Sequence, residues 1–299
     1  MNAEIELRDR VFVGPLRRSV NNAHGVRGSI HDDSTATKLG FRGGTVAGSI
    51  HLELFPPLLL GAFGERWFER GTLSMYFLNA TTDREAVRAF VGQPTDDATD
   101  AQVEVRIERE DGMRVGEGTA SIGNPAEPTA LLRKPLDRFD AGEMRILASL
   151  KAGDRLENRD LVLPGTENAE RMKVITEPLP WYAGKSPWGG AIATPASMVH
   201  LLYAEPIATL RGKIGAAVGL FGAIEIRNIN GPVFIDHPYR VGGHVVALGQ
   251  SPKTEYMWFE TELDDSEGKR IAEMRMLLRF MKASSPLYRQ AAGASSDFD

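Results

Sequence analysis

The side chains best suited to chemistry lie together near the start of the sequence. His31 is followed directly by two carboxylates, Asp32 and Asp33, and the glycine-rich stretch Gly43–Gly48 comes shortly after them. Histidine changes charge near neutral pH, so it can act as an acid or as a base. A neighbouring carboxylate could orient its ring or could instead cap the short helix predicted for residues 34–39. The glycines could admit a ligand to the backbone or simply permit a tight turn.

Residue types exclude several other chemistries. The chain has no cysteine, which excludes disulfides, zinc–thiolate sites, iron–sulfur clusters and a cysteine nucleophile. It has no Gly-x-Ser-x-Gly elbow and no phosphate-binding loop with its lysine in a strand–loop–helix context. His24, His237 and His244 lack metal-ligand spacing, so we predict no metal site.

The charge balance argues against polyanionic partners. The 299 residues include 35 lysines and arginines and 40 aspartates and glutamates, a net charge of −5. Phosphate backbones and anionic membranes require a basic face, so we predict neither a nucleic acid nor a membrane as partner. No apolar run approaches the roughly 18 residues that span a bilayer. Residues 1–9 lack the apolar segment of a secretory signal, and we expect a cytoplasmic protein.

The sequence contains two similar halves with the same order of predicted elements, and we expect these elements to position the candidate residues. Gly43–Leu52 has a counterpart in Gly189–Met198, since each starts with a Gly-Gly pair and enters an apolar stretch that suits a helix. We expect the first helix to begin within Thr45–Gly48 and the second within Thr194–Ser197. A proline follows in each copy and should end or kink the helix.

An alternating hairpin completes each copy. Gln102–Glu110 and Met113–Ile122 alternate in polarity around Asp111-Gly112, a pair that suits the positive φ angles of a tight turn. Their counterparts are Met257–Leu263 and Arg270–Phe280. A helix on an antiparallel sheet, present twice, predicts an α+β fold.

The repeat also sets the predicted domain organisation. We predict an N-terminal unit over residues 1–125 and a C-terminal unit over 146–285. Proline and polar residues predict a linker over 126–145, and small polar residues predict a flexible tail over 286–299.

The segment Ile30–Gly48, with its Ile-His pair and its Gly-Phe-Arg-Gly-Gly sequence, resembles the hydratase-2 motif of MaoC-like acyl-CoA hydratases and dehydratases. The duplicated plan is similar to that of the family's double-hotdog members. This resemblance implies a double hotdog fold, in which each unit wraps an antiparallel sheet around a long central helix. It also implies a hydro-lyase that takes a coenzyme A or carrier-protein acyl thioester as substrate and needs no separate cofactor.

The resemblance assigns roles to the first group of residues. Hydration of a 2-enoyl thioester needs a base, an acid and donors for the thioester oxygen. His31 is the implied acid/base, and Asp32 or Asp33 could orient it. The backbone at the start of the first helix is the implied donor region for the thioester. That substrate-binding region comprises Gly43, Gly44, Val46, Ala47 and Gly48.

This sequence departs from the family pattern in several places. Gly28 and Ser29 stand where the family has Asn-Pro, and the distance from His31 to Gly40-Phe41 is one residue short. Val26 stands where the family has its catalytic aspartate, so the usual acid/base pair is incomplete. We therefore expect one of three outcomes: a carboxylate or amide from the second unit beside His31, a different substrate chemistry, or no chemistry. The second copy has no histidine before its Gly-Gly pair and offers instead Trp181, Tyr182, Lys185 and Trp188. One hydratase-like site at most is expected, with the second unit shaping or closing its pocket.

Structural roles compete with the functional ones at each position. His31 could be structural or exposed, both carboxylates could be helix caps, and the Gly-Gly pair could serve tight packing. The remaining residues with an expected core or interface role are His51, His200, Tyr182 and Trp188.

Three functions stay open on the sequence. The first is an acyl-thioester hydratase or dehydratase, which the Ile-His pair and the Gly-Phe-Arg-Gly-Gly segment favour. The second is a hotdog thioesterase with Glu53 as its carboxylate, and the third is a non-catalytic acyl-CoA-binding double hotdog; Val26 favours these two. The expected partner is a small-molecule acyl thioester, and a homodimer is compatible with the sequence.

Overall fold

Antiparallel strands and short helices alternate along the chain. The computed structural model describes residues 5–95, 99–136 and 142–289. The strands of the first half are β1 (Glu6–Arg8), β2 (Val11–Val13), β3 (Arg17–Arg18), β4 (Gly71–Phe77), β5 (Ala86–Gly92), β6 (Ala101–Arg109) and β7 (Arg114–Ile122). Those of the second half are β8 (Arg155–Val162), β9 (Gly219–Asn228), β10 (Pro238–Gln250), β11 (Thr254–Asp265) and β12 (Arg270–Met281).

The helices fall mainly before the long strands of each half. They are α1 (Asp33–Lys38), α2 (Gly48–Leu52), α3 (Pro56–Phe63), α4 (Arg66–Arg70), α5 (Gly165–Met172), α6 (Pro195–Ala208) and α7 (Pro286–Arg289). Within the described ranges, no helix has the length and apolar character needed to cross a membrane.

The strands of both halves form one continuous sheet. Across the described residues it has 12 strands in the order β1-β2-β5-β6-β7-β4-β9-β12-β11-β10-β8, with β3 beside β5. The two halves join where β4 pairs antiparallel with β9, from Thr72 opposite Arg227 to Tyr76 opposite Ala223. Both predicted hairpins are present, β6–β7 and β11–β12, and Gly112 in the first turn has a φ of 83°.

Both predicted helix starts are confirmed. Helix α2 begins at Gly48, and α6 begins at Pro195 after Thr194, whose hydroxyl oxygen accepts a hydrogen bond from the Ser197 N–H. The expected long helix of the first unit is instead two short ones, because Pro56 can open a helix but cannot continue one. Pro206 is accommodated inside α6, which ends two residues later.

The helices and the sheet share one large apolar core, beside which two smaller apolar clusters lie. Each large side chain buried there contributes roughly 1.5–3 kcal/mol relative to exposure. Fully buried members include Leu52, Phe55, Leu59 and Trp67 from the first half and Leu202, Met257 and Phe259 from the second.

The described parts of the predicted linker and tail have defined contacts or helical structure. Thr129 donates a hydrogen bond to the Glu225 carboxylate at 2.6 Å, and the Leu131 N–H donates one to the Ser74 hydroxyl at 3.1 Å. This part of the linker therefore lies on the sheet where the two halves join. The predicted flexible tail starts with helix α7. Linker residues 137–141 and tail residues 290–299 lie outside the described residues.

Candidate active site

A cavity of about 740 Å³ lies at the start of α2, between the two units. This volume falls within the range of small-molecule binding sites. Its walls come from both halves of the chain, which agrees with the expectation that the second unit shapes the pocket. The first unit contributes 29–31, Phe41, Thr45–Gly48, His51, 76–81 and Val115, and the second contributes Tyr203, Gly219–Gly222, Leu278 and Arg279.

His31 lines this cavity, and a hydrogen bond defines which of its nitrogens can act. Its Nδ1 lies 2.7 Å from the backbone carbonyl oxygen of Thr45. A carbonyl only accepts, so Nδ1 carries the proton and the neutral ring keeps its lone pair on Nε2. Nε2 has no hydrogen-bond partner in the described part of the chain. The partner of His31 is thus a backbone carbonyl of its own unit. Of the three expected outcomes, the first, a carboxylate or amide from the second unit beside His31, is not found among the described residues.

Close backbone packing holds the His31 loop in place. A Cβ on Gly44 would lie 2.3 Å from the carbonyl oxygen of His31, so only glycine allows this approach. The same carbonyl accepts a hydrogen bond from the Asn21 side chain at 2.8 Å, and the Thr45 N–H donates to the Ile30 carbonyl at 2.9 Å. Gly44 therefore serves to position His31.

The two carboxylates that follow His31 hold the loop and not the imidazole. Asp32 is the N-cap of α1 and accepts hydrogen bonds from the N–H and the hydroxyl of Thr35 at 3.0 and 2.7 Å, which lower its pKa. Asp33 accepts one from the Gly44 N–H at 2.7 Å. Neither residue lines the cavity. The suggestion that one of them orients His31 is corrected, and the capping alternative holds for Asp32.

The predicted thioester region divides into two parts. Val46, Ala47 and Gly48 line the cavity, whereas Gly43 and Gly44 pack behind it. The backbone N–H groups of Ala47 and Gly48 donate to no acceptor among the described residues. The first N–H groups of a helix have no partner within the helix, so they can receive an oxygen from a ligand.

The cavity wall contains no carboxylate from the described residues. Val26, at the family's aspartate position, lies outside the cavity and is 55% exposed. The titratable or charged side chains of the wall are His31, His51, Tyr76, Tyr203 and Arg279. In the described ranges, no group of three or more His, Cys, Asp or Glu residues is placed to hold a metal ion.

His51 is a buried histidine, as expected, and also part of the cavity wall. It is 3% exposed, and its Nε2 lies 2.8 Å from the hydroxyl of Thr81. Burial lowers the pKa of His51 from 6.5 to about 4, so its ring is neutral at pH 7.

The start of the second helix, α6, is occupied by a side chain of the first unit. The Glu53 carboxylate is fully buried and accepts a hydrogen bond from the Ala196 N–H at 2.6 Å. Burial raises the pKa of Glu53 to about 7, against the lowering effect of that N–H. Glu53 does not line the cavity, so its suggested role as a thioesterase carboxylate is corrected.

The aromatic residues before α6 are core residues, as their alternative interpretation predicted. Tyr182 is buried, and the rings of Trp181 and Trp188 meet edge to face with centroids 5.4 Å apart. Lys185 is exposed and His200 lies 3.1 Å from Glu167, both away from the cavity.

Several residues of the cavity wall were not predicted from the sequence. Tyr76, Thr81, Tyr203 and Arg279 line the cavity, yet no motif identifies them. Phe221-Gly222 did have a signal, since it matches the repeat at Arg70-Gly71 in the first copy. That match gives a strand position but not which residues face a pocket.

Comparison with known proteins defines the fold. No protein-family model and no curated protein sequence matches the chain. Among solved structures, a MaoC domain protein dehydratase from Chloroflexus aurantiacus is similar over 94% of this chain and 98% of its own, with 10% identity and a TM-score of 0.60. A conserved double-hotdog protein from Mycobacterium tuberculosis is similar over 93% and 97%, with 11% identity and a TM-score of 0.58. A MaoC-like dehydratase is similar over 92% and 100%, with 17% identity and a TM-score of 0.52. The chain therefore has the α+β double hotdog fold and is structurally similar to MaoC-like dehydratases.

Proposed function

We propose that the protein is an acyl-thioester hydratase or dehydratase that interconverts a 2-enoyl and a 3-hydroxyacyl thioester of coenzyme A or a carrier protein. The observation that carries this proposal is the tautomer of His31. The Thr45 carbonyl holds the Nδ1 proton, which leaves a basic Nε2 on a ring that lines the cavity. A base with a fixed tautomer is what water activation requires.

The proposed reaction uses one acid/base group. His31 Nε2 takes a proton from water as the water oxygen bonds to C3 of the enoyl chain. The C2–C3 π electrons move onto the thioester oxygen, which the N–H groups of Ala47 and Gly48 stabilise. The imidazolium then returns its proton to C2, so water is added and His31 is regenerated. Dehydration follows the same steps in reverse.

This scheme requires no carboxylate in addition to His31. The family's aspartate position is occupied by Val26, and no described carboxylate lines the cavity. A cavity wall without a described carboxylate is compatible with a mechanism in which His31 alone removes and returns the proton. The thioesterase alternative loses its support, because Glu53 is engaged at the start of α6.

The test is turnover of a panel of 2-enoyl-CoA esters with crotonyl, branched and aromatic chains. Loss of enoyl-thioester absorbance without thiol release is the expected result. Thiol release would indicate a thioesterase, and thermal stabilisation by ligand without turnover would indicate the binding function. His31→Ala should lower kcat at least ~100-fold, since general acid–base catalysis contributes ~10²–10⁴-fold.

The matched control is His24→Ala. His24 is exposed and does not line the cavity, so its removal should leave kcat and the melting temperature unchanged. Full activity in His31→Ala would remove His31 from the reaction and overturn the proposed mechanism.

A further inference from the structure

The cavity wall carries one cation whose charge no described carboxylate balances. Arg279 lies on β12 and lines the cavity, and it makes no ion pair in the described part of the chain. Its strand neighbour Arg275 differs, because Arg275 is paired with Glu260. A partly buried charge without a counter-ion is costly, and proteins usually pair such a charge or use it for a ligand.

The Arg279 side chain is held in a defined position. Its Nη2 donates a hydrogen bond to the Tyr76 hydroxyl at 2.7 Å, across the joint between the two units. Its guanidinium carbon lies 5.6 Å from the centre of the Tyr256 ring. A guanidinium fixed in this way is preorganised for binding, because little side-chain freedom is lost when a ligand arrives.

The neighbouring strand leaves space for this arrangement. A Cβ on Gly222 would lie 2.6 Å from Nε of Arg279, so any larger residue at position 222 would displace the side chain. Gly222 and Tyr76 both line the cavity beside Arg279. A guanidinium has five N–H donors, and the bond to Tyr76 uses one of them.

We infer that Arg279 is a specificity-determining residue that binds an anionic group of the thioester. The inference rests on the proposed function for the identity of the thioester, while the anionic chemistry follows from the uncompensated charge. A carboxylate or a phosphate suits the fork of an arginine because each can accept two parallel N–H bonds. Two parts of the ligand could supply the group: a carboxylate on the acyl chain, or the phosphates of the coenzyme A carrier.

Binding of unreactive saturated esters tests the inference without any turnover. The probes are butyryl-CoA, glutaryl-CoA and the phosphate-free butyryl-N-acetylcysteamine, titrated by calorimetry against the full chain. Glutaryl-CoA adds a carboxylate to a short acyl chain, and N-acetylcysteamine removes the phosphates. A hydrogen bond to a charged group is worth about 10-fold or more in affinity.

Each source of the anion predicts its own pattern for Arg279→Gln. If Arg279 binds an acyl carboxylate, the variant loses about 10-fold affinity for glutaryl-CoA and retains its affinity for butyryl-CoA. If it binds the phosphates, both CoA esters lose about 10-fold and the N-acetylcysteamine ester is unaffected. Arg279→Lys retains the charge but not the fork, so it should lose less in either case.

Two controls separate recognition from folding. Arg275→Gln removes a guanidinium from the same strand away from the cavity and should change no dissociation constant. Tyr76→Phe removes the hydroxyl that holds Arg279 and should reproduce part of the loss. Melting temperatures of all variants identify any that fail to fold, and Arg279→Lys then serves as the test.

The inference is overturned if Arg279→Gln binds all three esters as the wild type does. It is also overturned if the phosphate-free ester loses as much as the others, or if the wild type binds none of them. Failure of the proposed hydratase activity is a different result, since it would appear as absent turnover with binding intact.

Discussion

Two buried titratable side chains near α2 respond to pH in opposite directions. Burial raises the pKa of Glu53 to about 7 and lowers the pKa of His51 to about 4. A raised carboxyl pKa means that folding is favoured while Glu53 is protonated, and this contribution is lost as pH rises from 4.5 to about 7. For His51 the folded state is favoured above pH 6.5, and this contribution is lost as pH falls towards 4.

Replacement of Glu53 by glutamine should remove the loss of stability that Glu53 causes as the pH rises. The amide oxygen can still accept the hydrogen bond from Ala196, but it carries no charge at any pH. The variant's free energy of unfolding, relative to wild type, should rise by about 3 kcal/mol between pH 4.5 and pH 8. Denaturant unfolding of both proteins across this range measures the difference. A difference that does not change with pH would contradict the buried-carboxyl interpretation.

Gly48 leaves the proposed thioester site open because it has no Cβ. A Cβ there would lie 2.6 Å from the ring of Phe77, and both residues line the cavity. In Gly48→Val the ring must shift, so we expect KM to rise at least about 10-fold, because overpacking costs roughly 1–3 kcal/mol. Gly48→Ala should show a smaller increase. An unchanged KM in the valine variant would show that the thioester binds elsewhere.

At the scale of elements, helix α1 and its caps position the His31 loop. Asp32 caps α1 and Asp33 ties the loop to the Gly44 N–H. Both carboxylates support the site through the backbone, and neither contacts the cavity. This explains how two residues beside a candidate base can be structural: helix capping turns their oxygens towards backbone N–H groups.

Asp32→Ala should therefore lower stability while leaving the chemistry intact. Loss of an N-cap costs about 1 kcal/mol, and we expect kcat to change less than about 3-fold. Asp32→Asn, which can still cap, is the matched control and should retain most of the stability. Thermal unfolding and steady-state kinetics on the same samples separate the two effects. A 100-fold fall in kcat for Asp32→Ala would restore the carboxylate to the mechanism.

At the scale of the whole molecule, the joint between β4 and β9 creates the cavity. His31 and the start of α2 come from the first unit, whereas Tyr203, Phe221 and Arg279 come from the second. The start of α6 in the second unit is already occupied, because Glu53 accepts from the N–H of Ala196. The two copies have thus diverged: one carries the candidate base, and the other completes the pocket.

Phe221 should help to set the length of acyl chain that the pocket accepts. Its ring meets that of Tyr203 with centroids 5.0 Å apart at the cavity wall. In Phe221→Ala we expect the ratio of kcat/KM for 2-octenoyl-CoA over crotonyl-CoA to rise about 10-fold, since a few methylenes contribute that much in an apolar pocket. Phe234→Ala, partly buried in the same unit but away from the cavity, should leave the ratio unchanged.

The repeated architecture could be predicted from the sequence because its signals are local. Apolar periodicity, the Gly-Gly pairs and the Asp111-Gly112 turn depend on residues a few positions apart, and these predicted both helix starts and both hairpins. The resemblance to the hydratase-2 motif, rather than the local pattern, placed His31 and the Val46–Gly48 stretch at one site, and both line the cavity.

Which groups lie beside one another could be seen only in the folded structure. The Thr45 carbonyl that defines the His31 tautomer is a backbone atom, which no residue type reveals. The hydrogen bond between Arg279 and Tyr76 joins strands of different units, and Glu53 reaches α6 only after the helices pack. The partners in each of the last two contacts are more than 100 residues apart in the sequence. The register of the sheet and the packing of the core therefore determine which residues meet.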